Sequence, residues 1–264
     1  MSSLTERLLT ALIGIPLILT FLYLGGTFFY LLVLVTTILA LAEYRSLWEV
    51  KNCQVTSWIY LAGAGLITLS WLDLNAYSLA FIFAVFVSLF IYHGLQGTWQ
   101  NSTIATGVAL VIIGLVYIAW PLSLLLPLRE YGFDVVLLLL ALVFGSDTAA
   151  FFIGSRFGRH PLAPRISPKK SIEGAIGALI TSSLVGAAWS IFFSTSLPII
   201  AGIFLGLLAS ILAQTGDLLE SMLKRFCGAK DSGKLLPGHG GILDRLDSLL
   251  LVIPLIYYLA NLIK

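Results

Sequence analysis

Long apolar runs separated by short polar stretches set the pattern of this chain. Runs near 8–24, 27–42, 58–74, 76–92, 104–126, 133–154, 175–193, 197–219 and 249–263 each approach the about 20 residues that a helix needs to cross a bilayer. The pattern predicts an all-α polytopic membrane protein of about nine transmembrane helices. Connections as short as Gly25-Gly26 predict that spans one and two form an antiparallel hairpin, as do three and four, and seven and eight. Arg7 precedes the first run, but no small-x-small cleavage site follows, so that run reads as a retained span.

Composition agrees with lipid as the solvent. Hydrophobic residues are 59% and charged residues 11%, whereas soluble domains are about 25% charged. A net charge of +2 gives no footprint for nucleic acid. Cys53 and Cys227 are far apart and lack zinc-site spacing, so they read as ordinary thiols.

The positions of the charges say more than their sum. With nine spans, thirteen of the fifteen Lys and Arg residues fall on one side, and only Arg129 and Lys264 on the other. The positive-inside rule then predicts a cytoplasmic N-terminus and an external C-terminus. Ten of the thirteen crowd into two cytoplasmic loops, 155–174 and 224–248. Orientation alone does not require that crowding. We therefore expect residues 1–100 to be peripheral scaffold helices and 101–264 to be the catalytic core.

Polar residues inside spans mark chemistry, because lipid makes them costly. Asp147 interrupts span six. Ser210, Gln214, Asp217, Ser221 and Lys224 follow steps of four and three, which keep them on one face of span eight. Glu220 adjoins Asp217 at i+3. Asp244 and Asp247, three apart with Arg245 between them, open the last span. Carboxylates of this kind, with substrate phosphate oxygens, hold hard cations such as Mg²⁺. The candidate metal ligands are Asp147, Asp217, Glu220, Asp244 and Asp247. A simple helix cap explains Asp244 or Asp247 alone, but not the whole set. Small residues at Gly174, Ala178, Ser182 and Gly186 predict close helix packing.

Two basic segments complete the candidates. One runs from Arg165 through Ser167, Lys169 and Lys170 to Gly174. The other holds Lys230, Asp231, Gly233, Lys234, His239, Gly240 and Gly241. Glycines admit phosphate to backbone N–H groups and lysines neutralise it. Neither segment has the GxxxxGK[ST] spacing of a soluble P-loop.

The stretch from Ser221 to Asp247, including Lys230-Asp231-Ser232-Gly233 and Pro237-Gly238-His239-Gly240-Gly241-Ile242-Leu243-Asp244-Arg245-Leu246-Asp247, resembles the C-terminal motif of the CDP-diacylglycerol synthases without a gap. Ile166-Ser167-Pro168-Lys169-Lys170 and the Asp147 region resemble two upstream segments of that family. The likeness is specific over about 140–264 and only one of hydropathy before that. The chain departs from the family at Ser171-Ile172, where Thr-Trp is common, and at Ala149 and Phe151, where glycine and tyrosine are common.

The resemblance implies CTP and phosphatidate as substrates, a Mg²⁺ requirement with room for a second cation, and release of pyrophosphate. It places the protein in a bacterial inner membrane, with the active site on the cytoplasmic side. Membrane lipid is then the partner, a homodimer is compatible, and nucleic acid is not expected. Asp217, Asp244, Asp247, Lys224 and Arg245 become the expected catalytic residues. Ser167, Lys169, Lys170, Lys230, Asp231, His239, Gly240 and Gly241 become the expected substrate-binding ones. Two alternatives stay open: a CTP-dependent lipid-alcohol kinase and a cation-coupled transporter. The transporter fits poorly with ten basic residues in two same-side loops and with no inverted repeat.

Overall fold

A computed structural model describes residues 3–51, 53–96, 102–193, 197–233, 235 and 240–263. The described chain is almost wholly helical, and it packs as two compact units. One comprises residues 1–130 and 226–244, the other residues 131–225 and 245–264.

The first unit holds α1 (Ser3–Leu24), α2 (Gly26–Glu49), α3 (Trp58–Trp71) and α4 (Ser78–Leu95). α5 (Ser102–Gly114), α6 (Trp120–Ser123) and α7 (Leu125–Tyr131) follow along one path. A single span was expected near 104–126. That span is present as Ile104–Tyr131, with a π-helical turn at Leu115–Ala119 and Pro121 at the start of α6. Proline has no N–H to give, so the regular ladder breaks there. α1 ends at Gly25, whose φ of 63° suits glycine. Arg129 caps that end, donating from Nε to the carbonyl of Leu22 at 2.8 Å and from a terminal nitrogen to Tyr23 at 3.2 Å. A cation at the C-terminus of a helix meets carbonyls with no partner within the helix.

The second unit contains α8 (Phe133–Phe157), a hairpin of β1 (Pro161–Ala163) and β2 (Ser167–Ser171), α9 (Ile172–Phe192), α10 (Ile199–Cys227) and α11 (Leu243–Ile263). The sequence pattern did not predict the antiparallel hairpin, in which Pro161 pairs with Ser171 and Ala163 with Ser167. α10 and α11 also exceed their expected spans. α10 continues to Cys227, and α11 begins at Leu243, ahead of both Asp244 and Asp247. The 29 residues of α10 reach about 43 Å at 1.5 Å per residue. The hydrocarbon core is only about 30 Å thick, so one end of this helix stands outside it.

Glycines set the helix spacing in this unit. The predicted small-residue face of α9 does pack closely, but against two neighbours. Gly174 lies against Ala150 and Gly154 of α8, while Ser182 and Gly186 meet Gly206 and Gly202 of α10. A Cβ on Gly206 would strike the Ser182 carbonyl, and one on Gly186 would strike that of Gly202.

Among the described residues, six helical segments are long and apolar enough to cross a membrane: Gly26–Glu49, Asn75–Leu95, Ile104–Tyr131, Phe133–Phe157, Ile172–Phe192 and Ile199–Cys227. α3 and the apolar part of α1 are shorter. Large apolar side chains such as Leu79, Phe83, Leu184 and Phe192 face outward. On a soluble protein that surface would drive association; on this integral membrane protein it meets lipid.

The glycine contacts give a test. Gly206→Val places a side chain against rigid backbone, and overpacking of this kind costs about 1–3 kcal/mol. Thermal unfolding in detergent is expected to shift clearly downward. An unchanged midpoint would show that α9 and α10 do not depend on this approach.

Candidate active site

The hairpin between α8 and α9 brings the first basic segment to the acids of α10. Several bonds hold it. Ile172 donates its N–H to the His160 carbonyl at 2.9 Å. Glu173 accepts from the N–H groups of Arg159 and His160 at 3.1 and 3.3 Å and pairs with His160 Nδ1 at 2.7 Å. The Ser171 hydroxyl caps α9 by accepting from the Gly174 N–H at 3.2 Å.

Side chains alternate along a strand, so the two neighbouring lysines of β2 part company. Lys170 is half-buried, and its Nζ lies 2.7 Å from Oδ2 of Asp217. Lys169 is exposed, and Ser167 is half-buried. The sequence assigned both lysines the same role; the hairpin gives them different surroundings.

The predicted stripe on α10 is a single face. Ser210 shares a 2.7 Å hydrogen bond with the buried Ser146 of α8. Gln214 donates to Ser210 at 3.1 Å and to the Ala175 carbonyl at 3.4 Å. Ser221 donates to Asp217 at 3.4 Å. At the end of the stripe Lys224 pairs with Glu220, whose side chain is fully buried. Lys224 was expected to meet phosphate and Glu220 to meet metal. In the structure the two form an i,i+4 pair within one helix.

Asp217 has two further carboxylates within electrostatic range, Asp147 of α8 and Asp247 of α11. Glycine again explains the approach. Gly216 lies against the backbone carbonyl of Asp247, so α10 and α11 touch backbone to backbone beside both acids. Asp147 interacts with the Ser248 hydroxyl and feels the charges of Lys170 and Arg245. Asp247 feels that of Lys224 and is mostly buried. Three carboxylates with Lys170 and Arg245 thus gather at one end of the second unit.

Asp244 belongs to the first unit, where its carboxylate accepts from the N–H groups of Ser232, at 3.0 and 3.2 Å, and of Gly241, at 2.8 Å. Those bonds tie Ser232 and Gly241 to the start of α11. Gly240 adopts φ 84°, a region that favours glycine, and Gly241 is buried. Lys230 and Asp231 are exposed. His239 lies outside the described residues.

No three His, Cys, Asp or Glu side chains among the described residues form a metal cage by themselves. Mg²⁺ rarely demands one, taking one or two carboxylates together with waters and substrate phosphates. The donor set of Asp147, Asp217 and Asp247 is all hard oxygen, which suits such a cation.

Two elements of this arrangement escaped the sequence analysis. Gly216 looks like any helical glycine until its neighbour is known. Glu43, at the end of α2, accepts bonds from Ser232, Ile242 and Leu243. Its only signal was a carboxylate directly after an apolar run.

The profile of the cytidylyltransferase family matches residues 5–263. The phosphatidate cytidylyltransferase of Staphylococcus saprophyticus is 33% identical over 256 residues, 95% of this chain and 96% of that one. That of Staphylococcus haemolyticus is 34% identical over the same length and shares. That of Bacillus subtilis is 34% identical over 163 residues, 61% of each chain. A match of this extent, from the first helix to the last, makes the chain a member of the cytidylyltransferase family.

Proposed function

We propose that this protein transfers the cytidylyl group of CTP to phosphatidate, giving CDP-diacylglycerol and pyrophosphate. The observation that carries the reading is the Lys170–Asp217 pair, set beside Asp147 and Asp247 at the end of a basic hairpin. A site that joins two polyanions needs positive charge for phosphates and carboxylates for a cation in the same place. The family and the names of the relatives supply the substrates.

In the proposed reaction a phosphate oxygen of phosphatidate attacks the α-phosphorus of CTP. The bond from that phosphorus to the bridging oxygen of the β-phosphate breaks, and pyrophosphate leaves with the electron pair. A phosphate monoester has a second pKa of about 6, so the attacking group is mostly dianionic at neutral pH and needs no strong base. Positioning and charge neutralisation then do most of the catalysis. Asp217 and Asp247, with Asp147, would hold Mg²⁺, which when bound screens the phosphate charges; a second cation is compatible. Lys170 and Arg245 meet phosphate oxygens, and Lys169 adds charge at the mouth of the hairpin. Lys230, Asp231, Gly240 and Gly241 remain substrate-binding candidates on the second basic segment. The carboxylates and basic loops proposed for the reaction lie within 101–264, in a bacterial inner membrane with both loops cytoplasmic.

Four outcomes follow. Purified protein given phosphatidate, Mg²⁺ and CTP is expected to place a cytidine label, and no γ-phosphate label, in the lipid product. Label from the γ-phosphate would identify a kinase instead. Lys170→Ala should lower kcat/KM by about tenfold to a hundredfold, the loss of a bond to a charged group, and Lys169→Ala by less. Asp217→Asn and Asp247→Asn should fold, lose most turnover and recover part of it at high Mg²⁺. Equal effects of both lysines, or near-normal turnover of both Asn variants, would remove these assignments. Finally, in a chain lacking its native cysteines, Asp231→Cys should react from the cytoplasmic side and Lys264→Cys from the other. Reaction from one side by both would reject the orientation.

A further inference from the structure

The start of α11 poses a problem that its own residues do not solve. The first N–H groups of a helix have no partner within it, and the helix dipole adds positive potential there. Here the Ile242 N–H donates to Glu43 Oε1 at 2.9 Å and the Leu243 N–H to Oε2 at 2.9 Å. The Ser232 hydroxyl donates to the same Oε2 at 2.9 Å and accepts from the Asp244 N–H at 3.3 Å. Glu43 is buried on α2, 189 residues before Ser232. Its two oxygens thus grip both ends of the 232–243 segment and cap the helix that carries Arg245 and Asp247.

The glycines of the segment fit the same clamp. A Cβ on Gly233 would meet Oε1 of Glu43, and one on Gly241 would meet Oε2 and the Ser232 hydroxyl. The two glycines leave room for one carboxylate. All three contacts to Glu43 are donors, so it serves purely as an acceptor. Glutamine has one acceptor oxygen and would turn an amide N–H toward a donor.

We infer that Glu43 is a positioning residue for the transfer reaction: by clamping Ser232, Ile242 and Leu243 it fixes Ser232 against the entry of α11. The first helices therefore supply a working part and not scaffold alone. This inference rests on the cytidylyl-transfer reading, and its test separates the two. Glu43→Gln should lower kcat/KM for CTP per folded molecule by about tenfold to a hundredfold, as for lost bonds to a charged acceptor. Amide hydrogen exchange should accelerate at 240–244, with the rest of α11 unchanged. Ser232→Ala, which removes one of the three contacts, should move both readouts the same way by a smaller factor. It decides the matter alone if Glu43→Gln yields no folded protein. Unchanged kcat/KM in folded Glu43→Gln, or in Ser232→Ala, overturns the inference, even if the melting temperature falls. A wild-type protein that moves no cytidylyl group overturns the function instead, while the exchange measurement still tests the clamp.

Discussion

Lipid offers no hydrogen bonds, so the backbone groups within it must find their partners in the chain itself. The architecture follows from that constraint. The backbone answers it by forming helices, and the helix ends answer it with side chains brought from far away. Arg129 closes the carbonyl end of α1 from more than a hundred residues along the chain. Glu43 closes the N–H end of α11 from still farther. The side chains of α10 follow the same rule. The polar face of α10 is matched step by step by Ser146, the Ala175 carbonyl, Lys170 and its own Glu220.

Close packing makes those pairings possible. Hydrogen bonds between helices need short distances, and short distances need small residues at the contact. Gly206 and Gly202 seat α10 on α9, and Gly216 seats it on α11. The same helix thereby carries both the packing glycines and the acid that pairs with Lys170. Chemistry and packing are not separable along it. A shift of α10 that relieved one glycine contact would also pull Asp217 away from the strand that faces it.

Much of this was legible in the sequence. The 3.6-residue rhythm of Ser210, Gln214, Asp217, Ser221 and Lys224 gave one polar face, and the structure has that face. Apolar length located the helices, and the small residues of α9 announced close contacts. Other features were hidden, for physical reasons. Composition alone does not reveal that a helix such as α10 runs on past the apolar stretch, because Glu and Lys are good helix formers outside lipid. The short β-hairpin has five residues in its longer strand, too few for a periodic signal. The partners of Glu43 and Gly216 depend on tertiary contacts that no local pattern encodes. Spacing shows which residues share a face and not what that face meets.

The hairpin has a consequence for how this chain tolerates change in length. Surface loops ordinarily accept insertions. Here the His160–Ile172 and His160–Glu173 bonds fix where the strand ends, and the alternation of β2 decides which lysine turns toward Asp217. Adding or deleting one residue within the strand would exchange the two faces, sending Lys170 outward with composition and net charge nearly untouched. What this loop transmits to the site is parity: an odd or even count of residues between its anchor and its lysine.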